Sequence, residues 1–79
     1  MIKIYTIPEC EHCDKIKSFC KENEISYEEI DLAKKENREA REFYRSLGIR
    51  TAPVVVGKDN KGEEIILTEL DEDMLKIME

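Results

Sequence analysis

Two cysteines separated by two residues are the part of this sequence best suited to chemistry. The segment Cys10-Glu11-His12-Cys13 follows a stretch rich in isoleucine and opens a stretch of helical periodicity. The first turn of a helix has unpaired N–H groups and the positive end of the helix dipole, and both favour a thiolate over a thiol. Cys10 is therefore predicted to be the exposed attacking sulfur. Cys13, one turn deeper on the same face, is predicted to resolve the mixed disulfide.

Metal binding is the main alternative for this pair. A closed metal site needs four ligands, and the pair supplies two. Cys20 is a poor third ligand, because seven helical residues place it about 10 Å along the axis from Cys13. It shares a helix face with Ile16 and is predicted to be a core thiol. His12 is predicted to point away from the cysteine face. A metal or iron–sulfur carrier would therefore have to bridge two chains through Cys10, or recruit outside thiols.

The charges next to the motif act in opposite directions on the Cys10 thiolate. His12 is predicted to be exposed to solvent, and in its protonated form it would stabilise the thiolate. Glu9 and Glu11 would oppose a new negative charge at the same place. The net effect of these neighbours does not follow from residue types.

Length and charge exclude several classes of function. A chain of 79 residues predicts one domain over residues 1–79, with a modest core. The net charge of −6 argues against nucleic acid and anionic membranes as partners. The longest apolar run, Val54-Val55-Val56, is too short to span a bilayer. The opening residues, Met1-Ile2-Lys3-Ile4, do not resemble a secretory signal. We therefore expect a cytoplasmic protein, and in a reducing compartment closely spaced cysteines favour a redox or metal role.

Hydrophobic periodicity predicts an α/β fold with the element order β-α-β-α-β-β-α. Strands are expected over residues 2–7, 25–32, 54–56 and 64–67, with a turn over residues 57–62. One helix should run from near Cys10 to near Asn23, and a second should end at Gly48. A third, carrying Leu70, should be capped by Thr68 or Asp71. The first two strands should be parallel and the last two a hairpin, which gives a four-stranded mixed sheet with helices on both faces.

The same segments resemble the glutaredoxin branch of the thioredoxin-fold family. Ile4-Tyr5-Thr6, the cysteine motif and Thr51-Ala52-Pro53 carry the resemblance, which covers essentially the whole chain. It implies a thioredoxin-like, glutaredoxin-type fold. It also implies that Pro53 is a cis proline facing the cysteines, and that the backbone at Ala52 holds the substrate as an added strand. Thr51, Ala52, Pro53 and His12 are thus the expected substrate-binding residues.

Two features depart from glutathione-dependent glutaredoxins. Ile7 stands where those proteins often have a lysine. Thr68-Glu69 stands where they have a Gly-Gly pair that receives the glutathione tail, although Asp71 follows as an acidic residue does there. The chain is also similar to NrdH-type redoxins, which take electrons from a thioredoxin reductase, but residues 67–73 match that subgroup only in part.

These observations predict an enzyme, a dithiol thiol–disulfide oxidoreductase that reduces protein disulfides through Cys10 and Cys13. It should work as a monomer without a bound cofactor or metal. The resemblance implies a thioredoxin-reductase-type enzyme or glutathione as reductant, and ribonucleotide reductase as one electron acceptor. The two-chain metal carrier and a non-catalytic interaction module are the alternatives.

Overall fold

Four strands and three α-helices make up the part of the chain described by a computed structural model, residues 1–48 and 52–79. The order confirms the predicted β-α-β-α-β-β-α sequence and adds one short 3₁₀ turn. None of the described helices is long and apolar enough to cross a membrane. The elements are β1 (Ile2–Thr6), α1 (Glu11–Glu22), β2 (Tyr27–Asp31), the 3₁₀ turn (Lys35–Asn37), α2 (Arg38–Ser46), β3 (Val54–Lys58), β4 (Glu64–Leu67) and α3 (Glu72–Ile77).

The strands form one mixed sheet in the order β2-β1-β3-β4. Strand β1 is parallel to β2, with Ile4 opposite Glu29, and antiparallel to β3, with Ile4 opposite Val55. Strand β4 continues the sheet antiparallel to β3. This topology brings the end of β1, the start of β3 and the end of β4 to the same edge of the sheet.

Successive side chains along the strands point to opposite faces of the sheet, and different helices cover the two faces. Ile4 and Val55 pack with Ile16 of α1 and Leu75 of α3 on one face. The intervening residues, Tyr5 and Val54, point to the other face, where α2 supplies partly buried apolar residues. The helices therefore lie on both faces, as predicted. Ala40 and Tyr44 of α2 pack against this face, and the Phe43 ring lies 5.7 Å from the ring of Tyr5.

The ends of the helices correct one prediction and confirm two. Asp71 caps α3, because its carboxylate accepts a hydrogen bond of 3.1 Å from the Met74 N–H. Leu70 was expected within α3 but precedes it, and its side chain is 42% exposed. Gly48 follows α2 with a φ of 71°, which a glycine adopts without steric cost, as its predicted C′ role requires.

Strand β3 is longer than its hydrophobic pattern suggested. Gly57 was expected to begin a turn, yet it is buried and the strand continues to Lys58. A Cβ atom at Gly57 would lie 2.8 Å from the Ile2 side chain and 3.1 Å from the Glu79 carbonyl. Glycine therefore serves here for close packing, whereas sequence patterns normally associate it with turns.

Cys20 belongs to the core beneath the sheet, as predicted for a core thiol. It is 0% exposed in the apolar cluster, and burial raises the pKa of its thiol. We expect Cys20→Ala to lower the free energy of unfolding by about 1 kcal/mol, because a small cavity is left behind. Urea unfolding followed by circular dichroism measures this, with Cys20→Ser as the matched control that adds a buried hydroxyl. Loss of disulfide-reductase turnover in a folded Cys20→Ala protein would contradict the assignment.

Candidate active site

The start of α1 holds the two cysteines at the edge of the sheet where β1 ends. Cys10 is the N-cap residue, and its sulfur accepts a hydrogen bond of 3.1 Å from the Cys13 N–H. The two sulfurs are paired as a disulfide, with their Cα atoms 5.3 Å apart. Cys10 is partly exposed, whereas Cys13 is 1% exposed. The two cysteines are thus in the positions that an attacking and a resolving sulfur require.

A short reversal of the chain creates this arrangement. Pro8 and Glu9 form a turn after β1, and Glu9 adopts a φ of 56°. This left-handed conformation costs a non-glycine residue about 1 kcal/mol. The turn lets α1 begin directly beside the end of β1, with Cys10 at its first free N–H groups.

The predicted proline faces the same edge from the start of β3. The Ala52–Pro53 peptide bond is cis, as the family resemblance implies. Pro53 is buried, and Ala52 is partly exposed. Thr51, the third residue of the expected substrate-binding segment, lies outside the described residues. Binding of substrate by the Ala52 backbone stays a prediction.

A groove of about 350 Å³ at this edge is lined by residues from α1, from the start of β3 and from the connection after β4. It contains three of the predicted substrate-binding residues and four others. The predicted three are His12, Ala52 and Pro53, and the others are Lys15, Thr68, Glu69 and Leu70. The contribution of Leu70 was missed because its apolar side chain fitted the helical pattern of α3. The available signal was the predicted hairpin, because it places the end of β4 next to the start of β3.

A polar network joins the end of β1 to β2 and α1. The Thr6 hydroxyl donates a hydrogen bond of 3.0 Å to the Glu29 carboxylate, and the Lys17 ammonium lies 3.0 Å from the same oxygen. Lys17 also pairs with Asp14 at 3.4 Å. The hydrogen bond from Lys17 is the main cause that lowers the pKa of Glu29. Residue types alone did not predict this network, because its partners are far apart in sequence.

The metal alternative receives no third ligand from the described residues. Within residues 1–48 and 52–79, no three His, Cys, Asp or Glu side chains come together as a metal site. A larger groove of about 720 Å³ lies elsewhere, between α2 and the sheet. Its lining includes neither the cysteine motif nor Ala52 and Pro53. The smaller groove, in contrast, is lined by His12 of the cysteine motif together with Ala52 and Pro53.

Comparison with known proteins agrees with this geometry. Residues 2–62 match the family model described as glutaredoxin. The chain belongs to the glutaredoxin family. No curated protein matches it.

Several solved glutaredoxin-like structures share the fold over nearly the whole chain. The NrdH-redoxin of Escherichia coli, described as glutaredoxin-like, is 28% identical with a TM-score of 0.76, over 95% of this chain and 90% of that one. A glutaredoxin from Archaeoglobus fulgidus is 25% identical with a TM-score of 0.70, over 95% and 80%. The thioredoxin-like protein BC3987 is 30% identical with a TM-score of 0.67, over 96% of both chains. These structures include both glutaredoxin and thioredoxin-like proteins.

The unequal exposure of the two cysteines predicts different defects in two serine variants. Cys10→Ser should abolish reduction of a protein disulfide, because the partly exposed sulfur makes the first attack. Cys13→Ser should still attack and then accumulate a mixed disulfide with the substrate. Intact-mass spectrometry after incubation with a disulfide substrate separates the two cases. An active Cys10→Ser protein would show that the assignment is wrong.

The Glu29 network predicts a pH-dependent contribution to stability. The pKa of Glu29 lies below its ordinary value of 4.5 in the folded chain, so its stabilising effect is present above that value. The effect is lost as the pH falls through the lowered pKa. Glu29→Gln should therefore reduce the free energy of unfolding by about 0.5 kcal/mol at pH 7, since the pair is partly exposed. The difference from wild type should shrink as the pH falls below 4.5.

Urea unfolding of both proteins between pH 3 and pH 7 measures this difference. Glu28→Gln is the matched control, because Glu28 lies next along β2 and forms no ion pair with the described residues. An identical pH profile for the two variants would contradict a specific role for the network.

Proposed function

We propose that this glutaredoxin-family chain is a dithiol oxidoreductase that reduces protein disulfides. The observation that supports the proposal most directly is the asymmetric pair beside a groove. Cys10 is partly exposed at the N-terminus of α1, and Cys13 is buried within disulfide reach of it. The groove is lined by His12 of the same motif, together with Ala52 and Pro53.

The reaction begins from the reduced pair. The Cys10 thiolate attacks one sulfur of the substrate disulfide and forms a mixed disulfide, and the other substrate sulfur leaves as a thiolate that takes up a proton. The Cys13 thiol then loses its proton and attacks the Cys10 sulfur. This second step releases the remaining substrate thiolate, which is also protonated, and forms the Cys10–Cys13 disulfide. Two electrons have passed from the chain to the substrate, and the two protons that the substrate thiolates take up come one from Cys13 and one from solvent.

Residues of the chain assist these steps in defined ways. The Cys13 N–H donates to the Cys10 sulfur at 3.1 Å, so it also stabilises negative charge at that atom. The backbone at Ala52 is accessible in the groove and can pair with an extended substrate segment. Pro53 is buried beside it and keeps this segment of backbone in a fixed position.

A two-electron reduction must restore the dithiol pair, and we propose a thioredoxin-reductase-type enzyme over glutathione as its source. Glutathione carries two carboxylates, so selective binding needs positive charge and accessible N–H groups. Glu69 lies in the groove, and Ile7 replaces the lysine that glutathione-dependent relatives often have. The similar Escherichia coli NrdH-redoxin is described as having a thioredoxin-like activity profile. Ribonucleotide reductase as acceptor and a cytoplasmic location remain part of the proposal.

Coupled assays compare the two reductants directly. NADPH oxidation is followed with thioredoxin reductase alone, and separately with glutathione plus glutathione reductase, with the same protein disulfide as substrate. We expect turnover with thioredoxin reductase to be faster by about tenfold, as one or two unfavourable contacts with glutathione would produce. Cys10→Ser gives the background rate in both assays. Faster turnover with glutathione would overturn the choice of reductant and leave the dithiol mechanism in place.

A further inference from the structure

The groove lined by His12, Ala52 and Pro53 carries charges of opposite sign on elements that meet there. Lys15 comes from α1, and Glu69 comes from the connection between β4 and α3. Both side chains belong to exposed residues. Neither forms an ion pair with any residue that the structure describes. Each charge is therefore available to a molecule that enters the groove.

The charged residues beside Cys10 in sequence are also acidic. Glu9 and Glu11 flank Cys10, are exposed, and likewise have no ion pair within the described ranges. Asp14, the next acidic residue, is different because it is paired with Lys17. Free carboxylates next to a narrow groove create a field that attracts cations and repels anions.

We propose that Glu69 is a specificity-determining residue that favours protein disulfides flanked by lysine or arginine. The inference rests on the proposed reductase function and deepens it by naming the substrate class. Glu69 is distinguished from Glu9 and Glu11 because it lines the groove itself, together with Ala52 and Pro53. A substrate segment paired with the Ala52 backbone would bring its own side chains within reach of the Glu69 carboxylate.

We expect Glu69 to affect the selectivity between substrates more than the maximal rate of reduction. Complementary charge speeds productive encounter and disfavours wrong partners, whereas it changes little in the sulfur chemistry. An exposed carboxylate is screened by salt, so selectivity should weaken as ionic strength rises. Lys15 would act on the same substrate in the opposite sense, and anionic residues would be tolerated only on its side of the groove.

Single-turnover reduction of three peptides tests the proposal. The peptides share one sequence and one disulfide, and carry lysine, glutamine or glutamate on both sides of it. Second-order rate constants with pre-reduced protein are divided by those with dithiothreitol, which removes differences in the intrinsic reactivity of the peptides. Wild-type protein should favour the lysine peptide over the glutamate peptide by about tenfold at low salt, and by less in 0.5 M KCl.

Two charge reversals separate a local effect from that of net charge. Glu69→Lys should remove or invert the preference, and Glu69→Gln should give an intermediate value. Glu22→Lys is the control, because it changes the net charge by the same amount. Glu22 is exposed and lies about 18 Å along α1 from Cys10. The control variant should retain the wild-type ratio.

The outcomes distinguish this inference from the proposed function. Equal rates for the lysine and glutamate peptides in wild type would overturn the role of Glu69 while supporting the reductase. An unchanged ratio in Glu69→Lys, or the same change in Glu22→Lys, would also overturn it. If wild-type protein reduces none of the peptides, including the neutral one, both the reductase proposal and this inference are wrong.

Discussion

The pairing of β1 with a strand on each side is the constraint on which the rest of the structure depends. Ile2 and Ile4 of β1 are fully buried, and their neighbours on both sides complete the face that α1 and α3 cover. With a chain this short, few other apolar residues are available to stabilise the sheet. A shift of β1 by one residue would reverse every side chain between the two faces. The register of this strand therefore determines where the helices can pack.

The same pairing determines where chemistry can occur. Strands β1 and β3 are antiparallel, so the chain leaves β1 at the edge where it enters β3. The turn at Glu9 then directs α1 back across the sheet with its N-terminus at that edge. A reactive sulfur, a cis proline and the end of β4 become neighbours although more than forty residues separate the first two in sequence. The residues on which the proposed function depends therefore come from separate elements that the sheet brings to one end.

Features set by local patterns could be predicted from the sequence. The β-branched run of β1, helical spacing from Cys13 to Cys20, and Gly48 after α2 were each sufficient for their element. Predictions were wrong where packing decided the outcome. Gly57 looked like a turn residue, because no local pattern shows that the Ile2 side chain lies 2.8 Å from its missing Cβ. Leu70 looked like a helix residue, because hydrophobic spacing does not reveal that α3 begins only after Asp71.

The site was predictable to the same extent. The spacing of Cys10 and Cys13 predicted their pairing, and the family resemblance implied the cis bond before Pro53; the structure shows both. The network around Glu29 was not predictable, because it depends on the parallel register that sets Thr6 opposite Asp31 and brings α1 over β2. Long-range contacts of this kind follow from the assembled sheet and have no local signature.

Because Cys20 is buried, its chemical modification can report how often the structure opens. Its thiol is enclosed between α1 and the sheet, so a water-soluble alkylating reagent cannot reach the sulfur. Burial also raises the pKa of the thiol, which disfavours the reactive thiolate form. Modification of this residue therefore requires that the helix separate from the sheet. The rate at which iodoacetamide labels Cys20, with Cys10 and Cys13 closed as a disulfide, measures how often that separation happens. Labelling of Cys20 thus measures the opening of α1, the helix that carries Cys13 and is capped by Cys10.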